Sequence, residues 1–241
     1  MSEFHAVAKR PRVGKNIVNM LGSDICNGIF KGADILPSES DLCTQYGVSR
    51  TVIREALNVV ESKGLIKRKS RVGTRICPQD EWNILDEQVI NWLGAAIYET
   101  NIFESVLEAR RFIEPLAAEL AAERASITEI AALETAWQAM ADAGHNVELF
   151  SKADFQFHKL LLKASHNRVF QQLEHSFQAA IRHSLQTTAK AADSLDEAVE
   201  THYDLVEALR MRDKQAAKQA VDKMLDLSAR DFAKASVTLD K

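Results

Sequence analysis

The sequence predicts a mainly α-helical protein of two domains: a small N-terminal one that closes with a β-hairpin, and an all-α antiparallel helical bundle behind it. Three observations predict this. Charge divides the chain, with 13 Lys and Arg against 7 Asp and Glu in residues 1–77 and 17 against 27 in the remainder. Apolar residues recur at helical spacing over most of the length, and only 4 Pro and 9 Gly interrupt them. The only stretch with strand character, 65–76, closes the basic part.

Residues 1–13 carry Lys9, Arg10 and Arg12 without periodicity and read as a flexible basic arm. From Lys15, the spacing of Ile17, Val18, Leu21, Ile25 and Ile29 predicts a first helix that stops near Gly28 and Gly32. Ser38, with Asp41 three residues on, caps a short second helix that Gly47 breaks. Ser49 caps a third, Arg50 to Lys63, with Val52, Ile53, Ala56, Leu57 and Val60 on one face. Two short strands around a basic turn at Ser70–Gly73 follow. Three helices and a hairpin in this order make a winged helix-turn-helix over 14–77. A linker is expected at 78–83, an all-helical domain over 84–236, and a tail at 237–241. The candidate helices of that domain are 83–98, 103–124, 128–143, 147–164, 169–188, 195–212 and 214–234, broken at Gly144, His166-Asn167 and Asp193-Ser194.

Hydrophobic residues at 46% and charged residues at 27% are ordinary globular composition, and 241 residues suffice for two cores. No apolar run reaches the roughly 18 residues of a membrane span, and the N-terminus lacks a signal peptide's apolar core. Cys26, Cys43 and Cys77 are odd in number and form no CxxC pair. These features lead to the expectation of a cytoplasmic, nucleoid-associated protein. A basic third on an acidic body suggests a polyanion partner for that third alone, the plainer alternative being two domains that merely differ in surface charge.

The third helix begins Ser49-Arg50-Thr51-Val52-Ile53-Arg54. Arg50 and Arg54 are i and i+4, so both project away from the core-facing Ile53 and Leu57. An arginine there can pair bidentately with the O6 and N7 of guanine in the major groove. Ser49, Thr51 and the free N–H groups of the helix start can hold a phosphate. Lys67, Arg68, Lys69 and Arg71 of the wing would add phosphate or minor-groove contacts, and Gly73 would let the turn approach the backbone closely. The alternative is that Arg50 and Arg54 are solvated charges, Arg54 pairing with Glu55 or Glu61.

The run Pro37-Ser38-Glu39…Leu42…Tyr46-Gly47-Val48-Ser49-Arg50-Thr51-Val52-Ile53-Arg54-Glu55-Ala56-Leu57…Gly64-Leu65-Ile66 resembles the GntR family of winged-helix regulators. The later helices resemble its FadR-type subgroup, whose effector domain is called FCD. The segment Trp82-Asn83-Ile84-Leu85-Asp86…Val89…Trp92 is similar to regulators of sugar-acid catabolism of the galactonate type. The resemblance implies a homodimeric repressor that reads a short palindromic operator and responds to a small carboxylate, a hexonate first of all. In the second helix an arginine that helps the fatty-acid-responsive member read DNA is replaced by Ser40.

The resemblance also implies a divalent metal held by one Asp and three His. Asp154 and His158 match two positions, and their i, i+4 spacing puts them on one helix face. His202 matches the third. The fourth falls on Met224, whose thioether is a soft, weak ligand, which leaves positions open for water or effector oxygens. Zinc is the first expectation, with manganese or nickel as alternatives. Without a metal, the histidines would bind the effector directly or simply be core residues. Arg110 matches a cavity-facing position whose guanidinium fork suits an effector carboxylate, the alternative being a surface pair with an acid. Arg182 is a second candidate for that role, and Met224 would line the effector site. Asn167 is expected to cap a helix; His145, His166, His175 and His183 are expected at the surface. Two other function classes remain: a metal-dependent enzyme acting on a hydroxy acid, and an architectural DNA-binding protein without effector. No HExxH, GxSxG, P-loop or GxGxxG motif supports an enzyme.

Overall fold

The computed structural model describes residues 12–30, 35–69, 72–94, 97 and 100–239. The expected basic arm lies outside the described residues up to residue 11; residues 12 and 13 already belong to a helix. The chain divides into two compact units, Met1–Glu99 and Thr100–Lys241.

The first unit opens with helices α1 (Arg12–Cys26), α2 (Glu39–Tyr46) and α3 (Arg50–Ser62). Ser38 caps α2 by accepting a hydrogen bond from the Asp41 amide, and Gly47 ends it in the left-handed region at φ 65°. One apolar face of α3 (Ile53, Ala56, Leu57, Val60) is buried, and α3 packs against α1 and α2. Strands β1 (Ile66–Lys69) and β2 (Gly73–Ile76) pair antiparallel with Ile66 opposite Ile76 and Lys69 opposite Gly73. Leu36 N donates to Thr74 O at 2.8 Å, and Ile35 bridges Arg75, so the α1–α2 connection forms the wing's third edge.

A further helix, α4 (Glu87–Leu93), belongs to this unit and not to the helical body, where a helix over 83–98 was expected to begin. It is short because Asp86 caps its start and Gly94, at φ 50°, ends it. α4 packs on α1. The Trp92 ring lies against Gly22, where an added Cβ would stand 2.3 Å from the indole. Trp92 Nε1 donates to Asn19 Oδ1 at 3.1 Å, and Asn27 Nδ2 donates to the Trp92 carbonyl at 3.0 Å. A glycine inside a helix, unfavourable by about 1 kcal/mol against alanine, is thereby explained.

The second unit is a bundle of α5 (Ile102–Arg124), α6 (Ile127–Ala143), α7 (Val147–Ala164), α8 (Arg168–Ala191), α9 (Asp196–Arg210) and α10 (Lys214–Leu239). α7 lies against α5, α6 and α8; α10 lies against α5, α8 and α9. Leu133, Met140, Phe157, Leu161, Leu205 and Leu225 are among the fully buried residues of their shared core. Helix starts carry local signals: Ser126 and Glu129 form a capping box on α6, Asn146 caps α7, and Asn167 caps α8 as expected. α10 runs through the expected tail to Leu239. No strand follows β2 among the described residues.

Candidate nucleic-acid interface and candidate metal centre

The start of α3 stands in solvent. Ser49, Arg50, Thr51 and Arg54 are exposed, and the Ser49 side chain makes no capping hydrogen bond. Arg54 Nε donates to Glu39 Oε2 of α2 at 2.9 Å, so its partner is neither Glu55 nor Glu61. Arg50 has no ion-pair partner among the described residues. In the wing, Lys67 pairs with Glu81, and Arg68 with Glu61 and Asn58. Both are thus tied back to their own unit. Lys69 is exposed and unpaired among the described residues. Gly73 opens β2 at φ 107°, and Ile35 Cγ2 lies 3.2 Å from where its Cβ would be, so both backbone angle and space call for glycine. Arg71 lies outside the described residues.

Inside the helical unit, Asp154 and His158 of α7 and His202 of α9 come together, their nearest ligand atoms all within 4.8 Å of one another. All three are buried. His158 Nε2 lies 3.2 Å and His202 Nε2 3.1 Å from Asp154 Oδ1. Yet neither Asp154 Oδ1 nor His202 Nε2 has a hydrogen bond of acceptable geometry. His202 Nδ1 stands 2.6 Å from the Ala198 carbonyl, a contact that places the ring proton on Nδ1. Nε2 is then a bare lone pair beside a carboxylate oxygen, two acceptors aimed at one place. His158 is held in the same way at Nδ1, 2.9 Å from Glu114 Oε2, while its Nε2 faces Asp154 and also Arg110 Nη2. Histidines whose far nitrogen is held by a carbonyl or carboxylate are oriented as metal ligands are. The group can hold a divalent cation.

Charge balance agrees. Arg110 Nε donates to Glu114 Oε1 at 2.6 Å, and Arg110 Nη2 stands 3.2 Å from His158 Nε2, all of it buried. Burial pushes the Glu114 carboxyl up, but the charges of Arg110 and His158 outweigh it and hold it at about 2. Asp154 is likewise held well below the usual carboxylate range: burial raises it, and the positive charge of His158 beside it outweighs burial. Two carboxylates against one guanidinium leave one negative charge to neutralise. Without a cation the proton on His158 does this: burial lowers its affinity, Glu114 outweighs burial, and its pKa rises to about 9. A bound cation and that proton are alternatives, since a ligating histidine is neutral.

Met224 of α10 is buried and lines, with the three ligands, a cavity of ≈30 Å³. Arg110 is not a surface pair: it is buried, its Nε and Nη2 face Glu114, Nη2 also approaches His158 Nε2, and Nη1 has no hydrogen bond among the described residues. The structure does not bring Arg182 to the cluster. Its guanidinium lies 5.1 Å from the centre of the Phe155 ring, in a separate open groove between α6, α7 and α8. His183, expected at the surface, is half-buried and stacked on Phe103, whereas His166 is exposed and paired with Glu129. The side chain of His175 lies outside the described residues. Sequence reasoning missed Glu114. The signal was there: the buried stripe of α5 runs Val106, Arg110, Glu114, Ala117 and Ala121, and two charges inside an apolar stripe mark a buried pair.

Residues 14–76 match the bacterial regulatory proteins of the gntR family, and residues 105–227 match the FCD domain. The chain belongs to the GntR family and carries an FCD domain. This GntR-family protein is a DNA-binding transcription regulator and not an enzyme. It is 32% identical over 215 residues to the galactonate operon transcriptional repressor of Escherichia coli, covering 89% of this chain and 94% of that one. It is 26% identical to the Uxu operon regulator of Haemophilus influenzae, over 86% of this chain and 80% of the relative. A solved structure of Lar, described as controlling expression of the Listeria monocytogenes agr system, superposes with a TM-score of 0.63 at 16% identity. That match covers 96% of this chain and 99% of Lar, and it shows the fold. No helix among the described residues is long and apolar enough to cross a membrane.

Proposed function

We propose that this regulator represses an operon for the catabolism of a sugar acid or related 2-hydroxy acid, and that the acid binds at a divalent cation held by Asp154, His158 and His202. The observation that carries the reading is the pair of buried acceptors, Asp154 Oδ1 and His202 Nε2, 3.1 Å apart without a hydrogen bond, beside a negative charge that needs neutralising. The galactonate operon repressor, similar along most of its length, supports the acid class. Zinc suits two imidazoles and a carboxylate; manganese and nickel are the alternatives. The cation supplies positive charge and open positions for a carboxylate and its neighbouring hydroxyl. Met224 and the cavity wall set its surroundings, and Arg110 holds Glu114, which orients His158.

On the DNA side, Arg50 and Arg54 read base edges, while Ser49, Thr51, Lys69, Arg71 and Gly73 serve the phosphate backbone. Two copies of the chain read a short palindrome, as helix-turn-helix dimers do. The effector acts by favouring one arrangement of the regulator over another. A cavity of ≈30 Å³ is far below the roughly 300–1,000 Å³ of ordinary ligand pockets, so a hexonate requires α8 and α10 to part. An effector that binds only the opened form shifts the population toward it.

The test is metal analysis of the purified protein, followed by thermal melts and operator gel shifts with galactonate, gluconate and lactate. The expected result is one cation per chain, stabilisation by at least one of these acids that chelation abolishes, and release of the operator by the same acid. Stabilisation that survives complete removal of metal would refute the cation's role. An acid that binds tightly and leaves operator affinity unchanged would refute the regulatory one.

A further inference from the structure

A second carboxylate lines the cavity that holds the cluster. Asp231 of α10 is 5% exposed and shares that cavity with Asp154, His158 and His202. Ser228 and Met224 lie three and seven residues before it, on the face of α10 that lines the cavity, and Thr188 of α8 lines it as well. Asp231 Oδ1 accepts a hydrogen bond from Arg230 Nε at 3.2 Å and lies 3.5 Å from Lys234 Nζ. Both cations are shared. Arg230 also pairs with Glu197 at 2.8 Å, and Lys234 with Asp193 at 2.6 Å. Glu197 and Asp193 stand at the surface, so of these carboxylates Asp231 is the one that lines the cavity, and it presents its acceptor oxygens there.

We infer that Asp231 sets the class of acid the cavity accepts: a monocarboxylate whose far end carries hydroxyl groups, and not a dicarboxylate. The inference rests on the proposed binding of the acid at the cation. With its carboxylate drawn to that end, the rest of the ligand runs toward α10. An ionised aspartate only accepts hydrogen bonds, and hydroxyls can donate to it. Ser228 and Thr188 can serve as donor or acceptor alongside. A second carboxylate on the ligand would stand against Asp231 in a water-poor wall, where like charges repel strongly. A site built around a buried acceptor rejects a ligand that brings no donor.

The experiment is calorimetric titration of the zinc-loaded full chain with galactonate and with galactarate, which has the same skeleton ending in a second carboxylate. The wild type is expected to bind galactonate tighter by about tenfold or more. In Asp231→Asn, with zinc content unchanged, that ratio should fall toward unity. Ser228→Ala, which leaves the charge in place, should keep it. The wild-type ratio needs no variant, so the inference stays falsifiable if Asp231→Asn fails to fold. Equal binding of the two acids by the wild type, or an unchanged ratio in Asp231→Asn, overturns the role of Asp231 and leaves the acid sensor standing. Binding of neither acid overturns the sugar-acid reading and this inference together.

Discussion

The two units carry their charge in opposite ways. In the first, Arg50, Arg54 and Lys69 stand in solvent, and the pair Arg54–Glu39 lies at the surface. Such a pair contributes at most about 1 kcal/mol to the fold, so its side chains are free to serve another partner. In the second, Arg110, Glu114, Asp154, His158 and His202 are buried, and each neutralises or orients another. There, charge is bound to stability. Substitution can separate recognition from folding in the first unit and cannot in the second.

The sharpest way to break this comparison is Glu114→Ala. It leaves Arg110 buried without its carboxylate, and losing one partner of a buried pair costs about 3–5 kcal/mol. Urea denaturation should show that loss in the helical unit's transition. A cost under about 1 kcal/mol would mean the cluster behaves like a surface pair, and the contrast between the units would fail. The reciprocal experiment is Arg50→Ala. Loss of roughly 1–3 kcal/mol of discrimination between operator and scrambled DNA is expected, with an unchanged melting curve. Arg54→Ala should behave alike, because all it breaks within the fold is the exposed contact with Glu39. Retained operator preference in either variant would mean that α3 does not read the bases. Loss of stability would mean that these arginines belong to the core.

Gly22 tests how firmly the first unit holds its last helix, α4. Alanine favours a helix by about 1 kcal/mol, but here its Cβ would meet the Trp92 ring at 2.3 Å, and overpacking costs about 1–3 kcal/mol. The clash should win, so Gly22→Ala is expected to melt lower and to alter tryptophan fluorescence as α4 shifts on α1. A stabilised variant with unchanged fluorescence would show that α4 yields easily.

How much of this was legible in the sequence follows the same divide. The start of α3 was readable because its residues act from the surface, where local pattern decides: Ser38 and Gly47 fix the helix before it, and Ile53 and Leu57 fix its inward face. Asp154 and His158 could be paired by helical spacing, but His202 came from resemblance, because nothing local joins α7 to α9. Glu114 and Asp231 were missed for a related reason: their roles arise from which helices pack together, and a sequence shows them as ordinary acids on long helices. Arg182 shows the converse. Its charge looked available, and packing placed it on Phe155 instead. The helix expected over 83–98 is shorter in the structure because Asp86 caps its start and Gly94 ends it, and its packing on α1 through the Trp92–Gly22 contact is a choice that spacing alone does not make.

The smallest effect is expected where a charged group in the helical unit lies at the surface. Glu129 accepts hydrogen bonds from the Ser126 amide and hydroxyl, both at 2.8 Å, and His166 Nε2 lies 2.9 Å away. Burial nudges its carboxyl up, and the Ser126 amide and His166 outweigh this to hold it at about 2, below the ordinary 4.5. A carboxylate with a depressed pKa contributes stability in full above about 4.5 and loses it as the pH falls toward 2. Because Glu129 and His166 are partly exposed, the contribution should stay under about 1 kcal/mol. Glu129→Gln should therefore melt slightly below the wild type at pH 7, the difference should shrink as the pH falls below about 4.5, and the two curves should converge only at about pH 2 or below. A difference that does not shrink between about pH 5 and pH 2 would assign the effect to capping geometry, which the glutamine amide partly keeps, and not to charge. A difference as large as that of Glu114→Ala would show that location in this unit, and not burial, is what binds charge to stability.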